Sequence, residues 1–162
     1  MMTYKTDLAA PGTCLLAGVF DEAAYPAGDA WIFPRLALDD ACILALWMNS
    51  TFFLVDLLVN RTEQRGAWMR FDKPVLNQLM ILNPSRLLQS QRQQLLGLYA
   101  RTRLDSLPSL LVQLTQARRL TMDEGILRIL GVSRQKAALL ATKAVSAALE
   151  AISDLAATMR GD

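Results

Sequence analysis

The sequence predicts an α+β fold, in which a small β-sheet packs on one long helix and a helical carboxyl-terminal half ends in a long terminal helix. Three observations favour this class. Short apolar segments between turn residues occupy the first part of the chain, an almost unbroken apolar run follows residue 40, and helical periodicity prevails after residue 88. We therefore expect an α+β region at 1–88 and a helical region at 89–162.

The sheet is expected to contain short apolar segments that are bounded by turn residues. These segments are 13–20, 30–36, 67–71 and 79–84. Pro34 and Pro84 mark strand ends or edge positions, because proline has no N–H group for the ladder. In 67–71 the residues alternate in character, which places Trp68 and Arg70 on one face and the three apolar residues on the other.

The long helix is predicted at 41–60. Asp39 or Asp40 is expected to cap it, because a carboxylate accepts a free N–H group of the first turn and suits the positive helix end. Arg61 suits the negative end. The run is nearly long enough for a membrane span, but a carboxylate such as Asp56 inside a span costs about 2.5–3.5 kcal/mol. A buried helix of a soluble protein explains the run without that cost, so we predict no membrane association.

The second region is predicted to contain four helices, at 89–103, 107–117, 121–130 and 134–159. Pro108 suits the first turn of the second helix. Thr121 followed by Glu124 matches a capping box at the start of the third, and Gly131 is a helix stop. Ser133 is expected to cap the last and longest helix.

The last helix carries a row of residues spaced alternately by four and three. The row is Ala138, Thr142, Val145, Leu149, Ile152, Ala156 and Met159. Such a heptad seam suits either a partner helix, in a homodimer or against another subunit, or packing on the helix's own domain. Three heptads are the shortest seam that carries such a signal, so both alternatives stay open.

The residue types that most often support catalysis are missing. The chain has no histidine, which excludes Ser-His and Cys-His nucleophile systems and histidine metal sites, and it has no phosphate-binding glycine motif. Asn83-Pro84 begins like the Asn-Pro-Pro-aromatic motif of amino-methylating enzymes, but the second proline and the aromatic residue are absent. Cys14 and Cys42 form no CxxC pair, which is typical of reduced cysteines in a cytoplasmic protein. We therefore expect no catalysis, metal or cofactor in this chain alone.

The charge is distributed unevenly along the chain. Residues 1–60 carry two basic and seven acidic side chains, a net charge of −5, whereas residues 61–136 carry thirteen basic and five acidic, a net charge of +8. The remainder, 137–162, carries two basic and three acidic side chains, or −1. Such segregation can create an anion-binding face on a nearly neutral molecule, although arginine also serves simply to solvate helix surfaces.

Three stretches of the sequence resemble the carboxyl-terminal, target-recognising region of adenine-specific DNA methyltransferases. They read ILALWMNST, RGAWMRFDKPVLNQLMILNPSRL and LLQSQRQQLLGLY. The "Leu-Asp … Leu-Gly" helix near the end of such enzymes is similar to 103–105 or 120–123 followed by Ile126-Leu127 and Leu130-Gly131. The chain is more distantly similar to the target-recognition domains of type I restriction specificity subunits. The resemblance covers about residues 13–131, and it implies a helix that leads through a glycine-containing loop to a short strand.

The loop and its surroundings supply residue types that recognise DNA. The candidate residues are Arg61, Thr62, Gln64, Arg65, Gly66, Trp68, Arg70 and Lys73. Arginine pairs with guanine and glutamine with adenine through two hydrogen bonds each, and both also contact phosphates. Gly66 would let the backbone approach the DNA or would simply form a turn. Trp68 would stack on a base or would be a half-buried packing residue.

The resemblance implies a DNA target-recognition region of a restriction-modification methyltransferase, without its catalytic domain. The cofactor-binding motif and the Asn-Pro-Pro-aromatic motif of such enzymes are both absent from this sequence. The expected partners are double-stranded DNA and a methyltransferase catalytic domain or subunit that uses S-adenosylmethionine. The alternative is a non-enzymatic helical assembly or adaptor module, whose last helix pairs with a partner subunit.

Overall fold

The computed structural model describes residues 2–3, 5–8, 10, 13–14, 16–20, 30–31, 36–60, 68–70, 72–102 and 108–160. Within these residues the helices are α1 (Leu38–Met48), α2 (Thr51–Val59), α3 (Lys73–Leu76), α4 (Gln89–Thr102), α5 (Leu110–Leu114), α6 (Ala117–Ile129) and α7 (Arg134–Arg160). A single 3-10 turn covers Pro84–Arg86. The strands are β1 (Met2–Thr3), β2 (Lys5–Asp7), β3 (Ala30–Trp31) and β4 (Trp68–Arg70).

The prediction of an α+β fold is wrong, because the described part of the chain is mostly helical. Its strands contain two or three residues each and form two separate antiparallel pairs, β1 with β3 and β2 with β4. They do not make a small sheet packed on a long helix. Of the predicted strands, 67–71 contributes β4, and 30–36 contributes β3 up to residues that lie outside the described part.

Two predicted strands are irregular, and helix side chains bind part of their backbone; in the first of them Ala17 also forms an isolated antiparallel bridge with Met2 of β1. In 13–20, the N–H groups of Leu16 and Ala17 donate to Asn49 Oδ1 at 2.8 and 3.2 Å. In 79–84, the N–H group of Met80 donates to an Asp56 carboxylate oxygen, and its carbonyl accepts from the Trp47 indole at 2.9 Å. Backbone groups that are satisfied in this way need no ladder partner. Segments 13–20 and 79–84 are therefore irregular apolar segments that pack on α1 and α2.

The single helix predicted at 41–60 is also wrong, because the chain bends by 66° between α1 and α2. Asn49 ends α1, and its side-chain N–H donates to the carbonyl of Ala45 at 2.8 Å. Ser50 then caps α2 by accepting the N–H of Phe53. Two consecutive residues that favour helix ends therefore replace one helix by two. No single described helix is long and apolar enough to cross a membrane, whereas the bent pair meets that criterion by length and composition alone.

The predicted aspartate cap of this helix is absent. The N-cap residue of α1 is Ala37, which makes no side-chain capping bond, and Asp39 and Asp40 lie inside the first turn. Carboxylates in the first turn still favour the positive helix end. Asp40 in addition pairs with Arg92 of α4 at 2.7 Å, so it fixes α4 against α1.

Helix α2 lies at the centre of the larger of two apolar core clusters. Its fully or almost fully buried side chains are Phe53, Leu54, Leu57 and Leu58. They pack with Leu110 and Leu114 of α5 and with Val145, Ala148 and Ile152 of α7. The second cluster joins α1, α4 and α6 through Ile43, Leu46, Leu95, Leu98 and Ile126. Both clusters combine residues from either side of position 88, and the boundary predicted there stays a prediction.

After residue 88 the structure contains helices, as the sequence periodicity predicts, whereas several of their predicted ends differ from the observed ones. Helix α4 buries Leu95 and Leu98. Helix α6 begins at Ala117 instead of Thr121, whose hydroxyl group donates to the Ala117 carbonyl within the helix, so the predicted capping box does not form. The predicted end at Gly131 is confirmed: this residue has φ 94°.

The turn after α6 is a Schellman motif. The N–H of Gly131 donates to the carbonyl of Arg128 and that of Val132 to the carbonyl of Leu127, both at 3.0 Å. A positive φ is readily adopted by glycine but strained for other residues. Helix α7 begins three residues after Gly131, close to the predicted start.

Helix α7 packs on α2, α5 and α6 of its own chain. Val145 and Ile152 of the predicted seam are buried in the larger cluster, whereas Thr142 is exposed. The buried stripe of α7 instead runs through Ala137, Ala141, Val145, Ala148 and Ile152. Two positions of the heptad seam are therefore occupied by intramolecular packing, and a homodimer through this helix stays a prediction without support from that face.

Candidate functional site

The structure places three of the eight residues that the sequence predicts for DNA binding. Trp68 and Arg70 belong to β4, where they lie opposite Asp7 and Lys5 of β2. Lys73 is exposed at the start of α3. The other five, Arg61, Thr62, Gln64, Arg65 and Gly66, lie outside the described residues. DNA contact by these eight residues stays a prediction.

The segments on both sides of 61–67 are anchored to the protein by specific contacts. On one side, Asn60 donates its side-chain N–H to the Asp56 carboxylate and carbonyl at 2.9 Å. On the other side, Asp72 caps α3 by accepting the N–H of Val75, whose side chain is buried. Lys73 is thus presented to solvent on a short helix with a fixed start.

A buried polar network joins the start of α2 to α5 and α6. Asp123 is fully buried, and its Oδ1 accepts the N–H of Thr51 at 3.0 Å. Arg119, one helical turn earlier, donates from Nε to the Thr51 hydroxyl oxygen at 2.8 Å. Arg119 Nε lies 3.7 Å from Asp123 Oδ2. An acidic residue of α6 therefore occupies the positive end of α2, where a carboxylate is favoured.

Gln113 of α5 extends this network to the amino-terminal part of the chain. Its Oε1 accepts from Arg119 Nη1 at 3.2 Å. Its side-chain N–H group donates to the carbonyls of Cys14 and Pro108 at 2.7 and 2.8 Å. This network is not among the sequence predictions. The spacing of four between Arg119 and Asp123 is its one visible signal in the sequence, and that spacing is as common on solvent-exposed helix faces.

Burial shifts both charged groups of the network. It raises the pKa of Asp123 above 3.8, and the positive charge of Arg119 and hydrogen bonds from Thr51 oppose the shift. Burial also lowers the pKa of the Arg119 guanidinium, against the negative charge of Asp123. Asp123 Oδ2 and Arg119 Nη2 have no hydrogen-bond partner among the described residues. Because both side chains are buried, the arrangement serves to tie three helices together.

The described basic side chains between residues 61 and 136 differ in their use. Arg92 and Arg119 are used inside the protein: Arg92 pairs with Asp40 and donates to the Pro84 carbonyl at 3.0 Å, and Arg119 belongs to the buried network. Seven others are exposed to solvent, namely Lys73, Arg86, Arg101, Arg118, Arg128, Arg134 and Lys136. Much of the positive charge of this part of the chain is therefore available to an anionic partner.

Within the described residues, no group of three or more His, Cys, Asp or Glu side chains is arranged to hold a metal ion. Comparison of the chain with known protein families, with curated proteins and with solved structures finds no match. The exposed charge and the sequence motifs are therefore the basis on which a function can be proposed.

Proposed function

We propose that this chain is a non-enzymatic module that binds double-stranded DNA. The observation that carries the proposal is the exposed positive charge of 61–136. Seven of its described basic side chains are exposed, whereas Arg92 and Arg119 are taken up by the internal pairs with Asp40 and Asp123. Lys and Arg side chains that face solvent on one segment are the usual electrostatic footprint of a nucleic-acid-binding protein.

The narrower proposal is a target-recognition region that works with the catalytic domain or subunit of an adenine-specific DNA methyltransferase. It rests on the sequence resemblance. The order of β4, α3 and α4, with Gln89 at the start of α4, supports it, because the resembled region also has a short strand, a proline-containing segment and a helix that begins with glutamine. The assembly alternative has less support, since Val145 and Ile152 of the seam pack inside the chain's own core.

We expect the chain to bind duplex DNA with low or moderate affinity that falls steeply with salt. If three to five phosphates are neutralised, the slope of log K against log salt concentration should be about −3 to −4.5, because each contact releases about 0.9 counterion. Fluorescence anisotropy of a labelled duplex at several salt concentrations measures this slope. A labelled neutral polymer of similar size is the control for non-electrostatic sticking.

Absence of binding at about 50 mM salt and tens of micromolar protein would contradict the proposal, because non-specific binding is strongest at low salt. A flat salt dependence would contradict it equally, since binding without counterion release does not involve the exposed cations.

A further inference from the structure

Four exposed basic residues outside the predicted DNA-binding set lie at one end of the helical bundle. Arg86 ends the 3-10 turn, Arg128 is in the last turn of α6, and Arg134 and Lys136 are in the first turn of α7. A hydrogen bond of 3.0 Å from the Gln91 side chain to the carbonyl of Ile129 joins the start of α4 to the end of α6. We call Arg86, Arg128, Arg134 and Lys136 the basic corner.

The turn between α6 and α7 separates two of these cations. Arg134 precedes the buried residues Ala137 and Ala141 by three and seven positions, so it lies on the side of α7 that packs against the neighbouring helices. It is nevertheless exposed to solvent. Arg128 lies one residue before the end of α6, so five residues of the chain separate the two cations across the turn.

The charges at the start of α7 are unfavourable for the isolated helix. The first turn of α7 contains no acidic residue and two basic ones, Arg134 and Lys136. The start of a helix is its positive end, where unpaired N–H groups disfavour cations and favour anions. Helix stability alone does not account for basic residues at this position. An anionic partner that accepts hydrogen bonds from these two side chains and from the backbone N–H groups of the first turn accounts for them.

The basic corner is not neutralised from within the described part of the protein. None of its four side chains forms an ion pair with another described residue. The carboxylate of Asp40 is bound to Arg92 of α4. Asp39, the residue before Asp40, is exposed at the start of α1. Glu124 lies one helical turn before Arg128 and is half-buried. Even with Asp39 and Glu124 counted, the four cations leave a net positive charge at this corner.

We propose that the basic corner is a second DNA contact surface, formed by residues other than those predicted at 61–73, and that it holds the phosphates of the duplex backbone. This inference rests on the proposed DNA-binding function. Arg134 and Lys136 lie about 200° apart around the axis of α7, so they do not converge on one small anion. Together with Arg86 and Arg128, which come from two other elements, they suit an extended row of phosphates. The corner positions the protein on DNA and carries no sequence preference of its own.

The test removes two charges from the corner and the same number elsewhere. Arg128→Gln/Arg134→Gln is compared with Lys143→Gln/Arg160→Gln, in which both residues belong to α7 and lie outside the corner and outside 61–136. Anisotropy with duplex DNA should give a salt slope about 1.8 shallower for the corner variant, since two phosphate contacts are lost at about 0.9 each. The control should keep most of the wild-type slope. Circular dichroism verifies that both variants are folded.

The outcomes separate this inference from the proposed function. If the wild type binds DNA and both double variants lose the same slope, the corner is not a distinct surface and the inference is wrong, while the proposed function stands. If the wild type does not bind DNA, both are wrong. The same proteins are mixed with vesicles that contain phosphatidylserine, because Leu88, Leu139 and Leu140 are exposed close to the corner residues in sequence. Binding to vesicles and not to DNA would assign the corner to a membrane surface and overturn the inference.

Discussion

Asp123→Ala is expected to lower the free energy of unfolding by about 3–5 kcal/mol, because it removes one partner of a buried ion pair. Arg119 would stay buried with its guanidinium charge uncompensated, and the N–H of Thr51 would lose its acceptor at the start of α2. An unsatisfied buried donor adds to the loss. Urea unfolding followed by circular dichroism gives the free energy and is compared with the wild type.

Two control variants show how much of this loss comes from the charge of Asp123, how much from its hydrogen bond with Thr51, and how much from an unpaired Arg119. Asp123→Asn retains a side-chain oxygen that can accept the N–H of Thr51, so it removes the charge alone. Arg119→Met/Asp123→Leu replaces the pair by apolar side chains and is expected to destabilise much less than Asp123→Ala. The loss of unfolding free energy in the double variant is compared with the summed losses in Arg119→Met and Asp123→Leu. Equal values would contradict the coupling between Arg119 and Asp123.

Asp123 also gives the stability a specific pH dependence. Its pKa is raised in the folded state relative to 3.8, so over the window above that value the folded protein holds a proton that the unfolded chain has released. The contribution of Asp123 to the free energy of unfolding is therefore largest below this window and falls as the pH rises through the folded pKa. The difference between wild type and Asp123→Asn, measured across that window, should show this fall. A difference that grows with rising pH would contradict the raised pKa.

Ile152→Asp is expected to unfold the protein or to lower its free energy of unfolding by more than about 4 kcal/mol. Loss of a buried isoleucine side chain alone costs about 2–5 kcal/mol, and a buried unpaired carboxylate adds to it. Ile152 is fully buried in the cluster formed by α2, α5 and α7. Ser153→Asp introduces the same charge at an exposed neighbouring position and should change stability by no more than about 0.5 kcal/mol.

The same variant distinguishes intramolecular packing from self-association. A folded circular-dichroism spectrum, together with a smaller mass in sedimentation, would mean that Ile152 faces a second copy. Loss of helical signal at unchanged protein concentration would mean that α7 belongs to the core of its own chain. We expect the second result, since Val145 and Ala148 on the same stripe are also buried.

Helix α4 and the end of α6 could be predicted because their signals are local, whereas the helix predicted at 107–117 is wrong: α5 spans only Leu110–Leu114, and Ala117 begins α6. The spacing of Leu95 and Leu98 gives the buried side of α4, and Gly131 ends α6 through its own backbone conformation. The start of α6 could not be predicted in the same way. Thr121 and Glu124 form a capping pattern in sequence, but the preceding residues also continue the helix, and the competition between the two is decided by packing.

The absence of the predicted sheet from the described part of the chain could not be foreseen, because the side chains that bind the backbone of two predicted strands are distant from them in sequence. Asn49 binds the backbone of Leu16 and Ala17 across more than thirty residues, and Asp56 binds Met80 across twenty-four. An apolar segment that covers a helix has the same composition as a short strand. The sequence shows that 41–60 contains polar residues that disfavour a membrane span. It does not show which backbone groups these residues bind.

The sequence predicted the positive charge of the candidate site, but not which basic residues form it. Charge segregation is a property of the sequence, and it can create an anion-binding face whatever fold the chain adopts. Which cations remain exposed depends on the fold: Arg119 is buried and Arg92 is paired, whereas Arg128 and Arg134 are exposed on either side of one turn. Periodicity did not reveal that arrangement, because it depends on the position at which α6 ends.

The central position of α2 has a consequence for biosynthesis. Phe53, Leu54 and Leu57 are covered by α5 and α7, which are translated later than α2 by about fifty or more residues. Until α7 has emerged from the ribosome, the most hydrophobic helix of the chain has no complete cover and is open to association with other nascent chains or with chaperones. Folding of the core around α2 is thus completed only after α7 has emerged, and variants that delay the docking of α7 are expected to aggregate more during synthesis.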